Sequence, residues 1–413
     1  MWNARSLSLM VILDLFVCSF PITSVLSQNT TSRLIQMQGE ILYASPSTPQ
    51  TQLRVNGIYL EDGSGNRVRL KGMQVCWNGR MKLQGSTGTM ASSPSASWFT
   101  LADVQRMKNA GGNCIEIHGL YLTEVMPAKN VPNEAFFATW VDTWGDWCAQ
   151  NHMYCILTIA GMHADSGWAT GMTIPNWIWS SLYSTPSTKA HYDQIIRDFF
   201  DTSVAKQDSN RAAFINLWGF IANRYKSNPY VMFGIMNEPF NYVAIPDTAT
   251  SIHLGQTYST FMGQVVDGIR NAGCQKITFI DHPFLQDANG WFVTRPINKG
   301  NIVWEVHEYI TPWCDLAKWK THIDNDAGYY NNLGKPVFIG EYGFDPPTAI
   351  HTTYPSTWQS LLSSQVSDLD GHSGVVGRDF HAWDYMYGKY SVAEGESDFT
   401  AAESIWIIQT VLG

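Results

Sequence analysis

From Lys71 onward, short apolar runs rich in β-branched residues alternate with stretches whose apolar positions recur every three to four residues. The runs lie at 70–76, 113–118, 154–159, 230–236, 277–280, 302–307, 336–340 and 375–383, which makes eight predicted strands. Amphipathic stretches at 98–110, 134–150, 214–226, 258–272 and 358–366 fall between them, and 401–412 follows the last. Strand then helix, eight times, closes a (β/α)8 TIM barrel, an α/β fold. An open doubly-wound sheet is the alternative, but no Gly-rich strand-to-helix fingerprint is present to anchor a nucleotide. Ahead of the barrel, LRVNGIYLEDGSGNRVRLKG sets two alternating segments either side of Asp62-Gly63-Ser64-Gly65-Asn66, which predicts a hairpin capping the barrel bottom. Because strand follows it, Gly63-x-Gly65 reads as a turn and not as a phosphate loop.

The N-terminal part reads differently. Residues 1–27 carry Arg5, an apolar run over 7–20 broken by Asp14, and Val25-Leu26-Ser27, the pattern of an export signal. The run is shorter than the roughly 20 apolar residues that a bilayer span needs. Residues 28–52, rich in Ser, Thr, Gln and Pro, read as a tether, so the catalytic domain is expected over 53–413. These features predict an extracellular, secreted protein, with anchorage by an uncleaved signal as the alternative. Asn29-Thr30-Thr31 is a glycosylation sequon.

Composition narrows the chemistry. With 45% hydrophobic and 15% charged residues, the 413-residue chain has the make-up of a well-packed globular body. A net charge of -9 argues against nucleic acid, whose binding needs clustered Lys and Arg, and favours a neutral substrate. Seventeen Trp offer flat faces for stacking on sugar rings, although barrel-to-helix packing also uses them. Beyond Cys18, the six cysteines Cys76, Cys114, Cys148, Cys155, Cys274 and Cys314 form no CxxC pair, which excludes a zinc ribbon or thioredoxin motif. Cys114 and Cys155 fall in predicted strands and read as buried free thiols. A Ser nucleophile elbow, an HExxH helix and a phosphate loop are all absent from the sequence, so no cofactor or metal is expected.

In such a barrel, chemistry collects where strands end. The polar and aromatic residues there are Trp77, Asn78, Glu116, His118, His163, Asn237, Glu238, Asp281, His282, His307, Tyr309, Glu341, His381 and Trp383. Two ends stand apart: YVMFGIMNEPF and KPVFIGEYGF each drive a carboxylate out of an apolar run, at the fourth and seventh strands. Period-2 alternation puts Met232, Gly234, Met236 and Glu238 on one face, and Val337, Ile339 and Glu341 on another, so both acids are expected to point into the mouth. Either Glu alone suits a buried ion pair with Arg. Together they suit glycosidic cleavage, in which one carboxyl protonates the leaving oxygen and the other attacks the anomeric carbon, with retention when they stand about 5–5.5 Å apart. His307 and Tyr309, alternating on one face, are the expected polar partners of Glu341.

RYKSNPYVMFGIMNEPF, GKPVFIGEYG and LKGMQVCW resemble glycoside hydrolase family 5, the cellulase family of the retaining clan, over about residue 53 to the end. The resemblance implies that Glu238 is the acid/base with Asn237 beside it, and Glu341 the nucleophile. It further implies that His307 and Tyr309 match the strand-six His and Tyr, and that Trp383 stacks on the sugar before the cleaved bond. Two positions depart from the family. NCIEIH puts Glu116 where an Arg is expected, so Glu116, on one face with Cys114 and His118, becomes either a third carboxylate in the mouth or an outward residue against a helix. Arg80 or Arg378 is then the candidate replacement cation, and His163 in ILTIAGMHADSGW is a loose match for the strand-three His.

The resulting expectation is a monomeric, endo-acting β-1,4-glucanase whose partner is its β-glucan substrate, with no nucleic acid and no obligatory membrane partner. Asn237, His307, Tyr309, Trp383, His118, Glu116 and Trp77 are the expected substrate contacts, and Trp77, Trp168, Trp177, Trp313 and Trp383 the candidate stacking floor. The alternatives are a β-mannanase or other β-glycanase, and, because of the missing Arg, a catalytically inert carbohydrate-binding barrel.

Overall fold

A computed structural model describes residues 52–75, 91–97, 99–162, 174–184, 188–241, 243–283, 285, 297–344, 353–354, 356–381 and 401–413. The expected export signal, most of the expected tether, Cys18, the sequon, Cys76, Trp77, Asn78, Arg80, His163, Trp168 and Trp383 lie outside the described residues.

Three short strands, β1 (Arg54–Asn56), β2 (Tyr59–Glu61) and β3 (Arg67–Val68), form an antiparallel sheet in the order β1-β2-β3. The predicted turn closes β2 onto β3, with Leu60 opposite Val68. Asp62 nucleates it by accepting the backbone N–H groups of Ser64 and Asn66 at 2.8 and 2.9 Å, while Gly65 takes a φ of +83° that a side chain would resist.

The barrel follows in chain order: β4 (Leu70–Val75), β5 (Cys114–Leu120), β6 (Tyr154–Ile159), β7 (Val231–Gly234), β8 (Thr278–Asp281), β9 (Ile302–Ile310), β10 (Val337–Phe344) and β11 (Val375–Phe380). Each pairs in parallel with the next, and β11 closes on β4. Eight parallel strands in a closed ring are the predicted fold. The helices α1 (Leu101–Asn109), α2 (Asp142–Gln150), α3 (Lys189–Phe200), α4 (Asp208–Tyr225), α5 (Thr248–Asn271), α6 (Leu316–Asn332), α7 (Trp358–Gly371) and α8 (Ala401–Leu412) lie between and after the strands. The stretch 134–150 is helical throughout but passes through a π-helical segment, Phe137–Val141, before α2. Asp247 and Asp315 start α5 and α6 by accepting the N–H groups of Thr250 (2.7 Å) and Lys318 (3.0 Å).

Much of the aromatic excess is packing. Trp140, Trp144, Trp177, Trp218, Trp304, Trp319 and Trp358 are all buried. On the helix layer Phe199, Phe200, Phe214 and Phe261 interlock with ring centroids 5.3–6.1 Å apart.

Inside the barrel the side chains fall into layers. The bottom one is apolar: Leu53 and Leu60 from the hairpin segment pack on Leu70, Cys114, Ile156, Met232, Phe279, Val303, Phe338 and Val376. Above it the interior turns polar. Glu116, Thr158, Glu305 and Asp379 are all buried, and three glycines make room for them. A Cβ at Gly72 would lie 2.0 Å from Asp379 Oδ1, at Gly234 2.1 Å from Thr158 Oγ1, and at Gly340 1.8 Å from Glu305 Oε1. Gly340→Ala is therefore expected to destabilise the fold by about 1–3 kcal/mol, the usual result of overpacking a filled core, read as a lower denaturant midpoint with unchanged slope.

The alternation expected along 337–341 is broken. Val337 and Ile339 do not share a face with Glu341: a register shift against β9 between Ile339 and Glu341 turns Phe338 inward and still delivers Glu341 to the interior.

Candidate active site

β7 ends at Gly234, and the chain carries Asn237 and Glu238 into the barrel mouth. Glu238 takes φ +40°, a left-handed conformation that a side-chain-bearing residue keeps only when its surroundings hold it there. Asp281, at the end of β8, supplies that hold: its Oδ2 accepts the Glu238 backbone N–H at 2.7 Å, and Tyr258 on α5 in turn donates to the Asp281 carbonyl at 2.9 Å. The Glu238 carboxylate is thereby aimed at β9, where its Oε1 lies 2.8 Å from His307 Nδ1, while Oε2 accepts from the Asn241 side-chain amide.

Glu341, 4% exposed, projects from β10 beside it. Its Oε1 accepts from Gln74 Nε2 at 2.9 Å and its Oε2 from the Tyr309 hydroxyl. His307 Nδ1 and His381 Nδ1 stand 3.6 and 3.7 Å from Oε2. Burial alone would raise the pKa of Glu341, but the imidazoles of His307 and His381 hold it well below the ordinary carboxylate range, helped by the Tyr309 hydrogen bond. Glu341 is thus kept ionised.

His307 is the electrostatic centre. Besides Glu238 and Glu341, its Nε2 faces Glu305 at 3.7 Å and Asp281 at 3.8 Å. Burial would strip its proton, yet Glu341, Glu238 and Glu305 drive its pKa well above the usual histidine value, so it stands among them as an imidazolium. The buried acids around it are shifted the other way from Glu341. Burial raises Glu116 to about 7 and Asp281 to about 8, and pushes Glu305 and Asp379 well above the carboxylate range. Burial lowers His118 to about 4, which leaves it neutral.

The expectations for individual residues divide accordingly. Glu238, Asn237, Glu341, His307, Tyr309 and His118 are gathered at the strand ends, and Glu116 points inward but is wholly enclosed, its oxygens taken by Thr158 Oγ1 (2.6 Å) and Gln74 Nε2 (3.4 Å). Arg378 does not replace the missing cation. The neighbouring Asp379 takes the interior position, and the Arg378 guanidinium turns away to Asp370, Tyr342 and the Val411 carbonyl. Trp177 is no stacking floor either, since it is 8% exposed and donates its indole N–H to the Met126 carbonyl at 2.9 Å. Trp313, on the segment after β9, is 71% exposed. Cys114 and Cys155 are buried free thiols, as are Cys148, Cys274 and Cys314.

Sequence reasoning missed Gln74, Asn241, Glu305 and Asp379. Gln74 was within reach, because alternation from Leu70 in LKGMQV points it into the barrel. Two trios, Glu238-His307-Glu341 and Asp281-Glu305-His307, bring ligand atoms within 4.8 Å of one another, close enough to share a metal ion. His307 belongs to both.

A closed parallel barrel with two carboxylates converging at its mouth is the architecture of many glycoside hydrolases. The chain belongs to glycosyl hydrolase family 5: the family's profile, described as Cellulase, matches residues 62–369. It is 22% identical over 337 residues to the cellulase/esterase CelE of Acetivibrio thermocellus, covering 72% of this chain and 36% of that protein. Endoglucanase EG-II of Hypocrea jecorina is 30% identical over 112 residues, 24% of each chain. The chain thus spans about a quarter to a third of the length of these curated relatives. Among solved structures, endo-glycoceramidase II from Rhodococcus sp. superposes with a TM-score of 0.60 at 19% identity, over 84% of this chain and 80% of that one, a likeness of fold. Among the described residues, no helix is long and apolar enough to cross a membrane.

Proposed function

We propose that this glycoside hydrolase is a retaining, endo-acting β-1,4-glucanase in which Glu341 is the nucleophile and Glu238 the acid/base. The observation that carries the reading is the spacing: carboxylate oxygens of Glu238 and Glu341 lie within 4.8 Å of each other. That suits direct attack by one of them, whereas an inverting pair stands about 6.5–9.5 Å apart to admit a water.

In the first step the Glu341 carboxylate attacks the anomeric carbon while Glu238 gives its proton to the departing glycosidic oxygen, leaving a glycosyl ester on Glu341. In the second, Glu238 takes a proton from water as the water oxygen displaces Glu341 from the same carbon. The two carboxyls need different surroundings for these roles. Glu341 has His307, His381 and Tyr309 to keep it ionised. Tyr309 also steadies the nucleophile's second oxygen, and Asn237 Oδ1, buried without a hydrogen-bond partner among the described residues, is suited to a sugar hydroxyl. Trp313 and Trp383 are the proposed stacking faces. An extracellular site of action, which the export signal read at residues 1–27 implies, suits a polymer that does not enter cells.

The glucan preference rests on the names of the curated relatives, an endoglucanase and a cellulase/esterase. Reducing ends released from carboxymethyl-cellulose, lichenan, mannan and xylan, with a lactosylceramide arm in parallel, test it. Release from the β-glucans with an initial product in the β-anomeric form is expected. Turnover confined to mannan, xylan or the glycolipid would overturn the substrate, and an α-anomeric first product would overturn the mechanism.

A further inference from the structure

The position that departs most from the family pattern, Glu116 in place of the strand-two arginine, has a counterpart on the neighbouring strand. Gln74, on β4 and fully buried, is a neutral side chain hydrogen-bonded to both Glu116 and Glu341. Its Nε2 lies 2.9 Å from Glu341 Oε1 and 3.4 Å from Glu116 Oε2, and its Oε1 meets His381 Nδ1. These partners fix which way the amide faces. The nitrogen has to be the end between the two carboxyl groups, because an amide oxygen there would meet the ionised Glu341 as acceptor against acceptor. The oxygen then faces His381, which must carry its proton on Nδ1 to donate.

Glu116 is fixed from its other side, where Thr158 Oγ1 donates to Oε1 at 2.6 Å. Thr158 has the room it needs because β7 presents Gly234 to it. A chain of oriented groups therefore runs over three adjacent strands, from Thr158 on β6 through Glu116 on β5 to Gln74 on β4, and crosses the barrel interior to Glu341 on β10. Gln74 also joins Glu341 to His381, which stands 3.7 Å from the other oxygen of the same carboxylate.

We propose that Gln74 is a positioning residue for Glu341: anchored by Glu116 and His381, its amide holds Oε1 so that Oε2 is turned toward the anomeric carbon, the task that an arginine on strand two would otherwise perform. A neutral donor suits this barrel, because His307 already supplies a positive charge beside the pair and a second buried cation would need its own compensation. The inference rests on Glu341 being the nucleophile, and the test separates the two.

2,4-Dinitrophenyl 2-deoxy-2-fluoro-β-cellobioside transfers its sugar to the nucleophile and is released slowly, so its labelling rate reads the first step alone. The wild type, Gln74→Met and Gln74→Glu are compared by labelling rate, by the reagent's dissociation constant and by thermal unfolding. Loss of a hydrogen bond to an ionised group corresponds to a roughly 10- to 100-fold fall in labelling rate. We expect that fall in Gln74→Met, with the dissociation constant within threefold of wild type and a peptide still labelled at Glu341. Gln74→Glu, which sets a third carboxyl between Glu116 and Glu341, is expected to fall at least as far. Labelling at Glu341 with both variants within threefold of the wild-type rate would overturn the positioning role and leave the nucleophile standing. A rise in dissociation constant that accounts for the whole loss would also overturn it. Absence of label from Glu341 in the wild type would instead overturn the reading beneath it.

Discussion

Glu341→Ala is expected to lower kcat on β-glucan by on the order of 10⁴-fold or more, the scale of loss when a covalent nucleophile is removed. The expectation follows from what surrounds the side chain. Glu341 is held ionised by two imidazoles and bonded at both oxygens by Gln74 and Tyr309, so its charge and direction are both fixed before substrate arrives. Among the described residues no neighbour is equally placed to take over: Glu238 is tied to His307 and Asn241, and Glu116 is enclosed beneath Gln74. Folding should survive, because His307 keeps Glu238, Asp281 and Glu305 around it when the fourth acid is gone. Steady-state kinetics beside a thermal unfolding curve decide the matter. A folded variant retaining more than about a hundredth of the wild-type rate is not what a lost nucleophile produces.

Glu238→Ala should show a different signature. General acid catalysis contributes about 10²–10⁴-fold, and it matters only as far as the leaving group needs a proton. On β-glucan, with its poor sugar leaving group, we expect kcat/KM to fall over that range. On 2,4-dinitrophenyl β-cellobioside, whose phenolate departs unaided, kcat/KM should fall less than tenfold, and the glycosyl-enzyme should accumulate because water is no longer deprotonated. Equal losses on both substrates would remove the acid/base role from Glu238. The variant has a structural side as well: Ala at φ +40° keeps the strained backbone but loses the bonds to His307 and Asn241. The comparison between substrates, rather than the absolute rate, therefore carries the test.

The fold was legible because parallel barrel strands are buried on both faces and show as unbroken apolar runs. All eight predicted runs coincide with strands, and 401–412 is matched by α8. β9 and β10 run furthest beyond their predicted ends, and there they carry Glu308, Tyr309, Glu341 and Tyr342, where polar and aromatic residues for the mouth replace the apolar pattern. Of the eight helices α1 to α8, α3 and α6 were not among the predicted stretches. In LAKWKTHIDNDAGYYNN the buried stripe Trp319, Ile323, Ala327 and Tyr330 has helical spacing, but Asp, Asn and Gly between these positions are poor helix formers, and the Asp315 cap and packing decide the outcome. The aromatic surplus pointed toward ligand stacking, yet most of the described Trp are buried in packing.

The two acids were legible for the same reason as the strands: a carboxylate ending an apolar run has few structural uses. Their electrostatic setting was not. Sequence reasoning sought a replacement arginine, whereas the structure assigns the charge to His307 and turns Arg378 outward, a difference decided by which face of β11 each residue occupies. The acidic layer of Glu116, Glu305 and Asp379 was hidden as well. Room for Asp379 and Glu305 comes from Gly72 and Gly340 on neighbouring strands, a relation between positions far apart in the chain that no local pattern expresses.

The most direct measurement is to locate the covalent intermediate. Incubation with 2,4-dinitrophenyl 2-deoxy-2-fluoro-β-cellobioside, followed by proteolysis and peptide mass spectrometry, should add one fluorocellobiosyl group to the peptide containing Glu341, and to that residue within it. A label on Glu238 or elsewhere, or continued turnover of the unfluorinated aryl cellobioside with no covalent adduct formed from the reagent, would contradict the assignment.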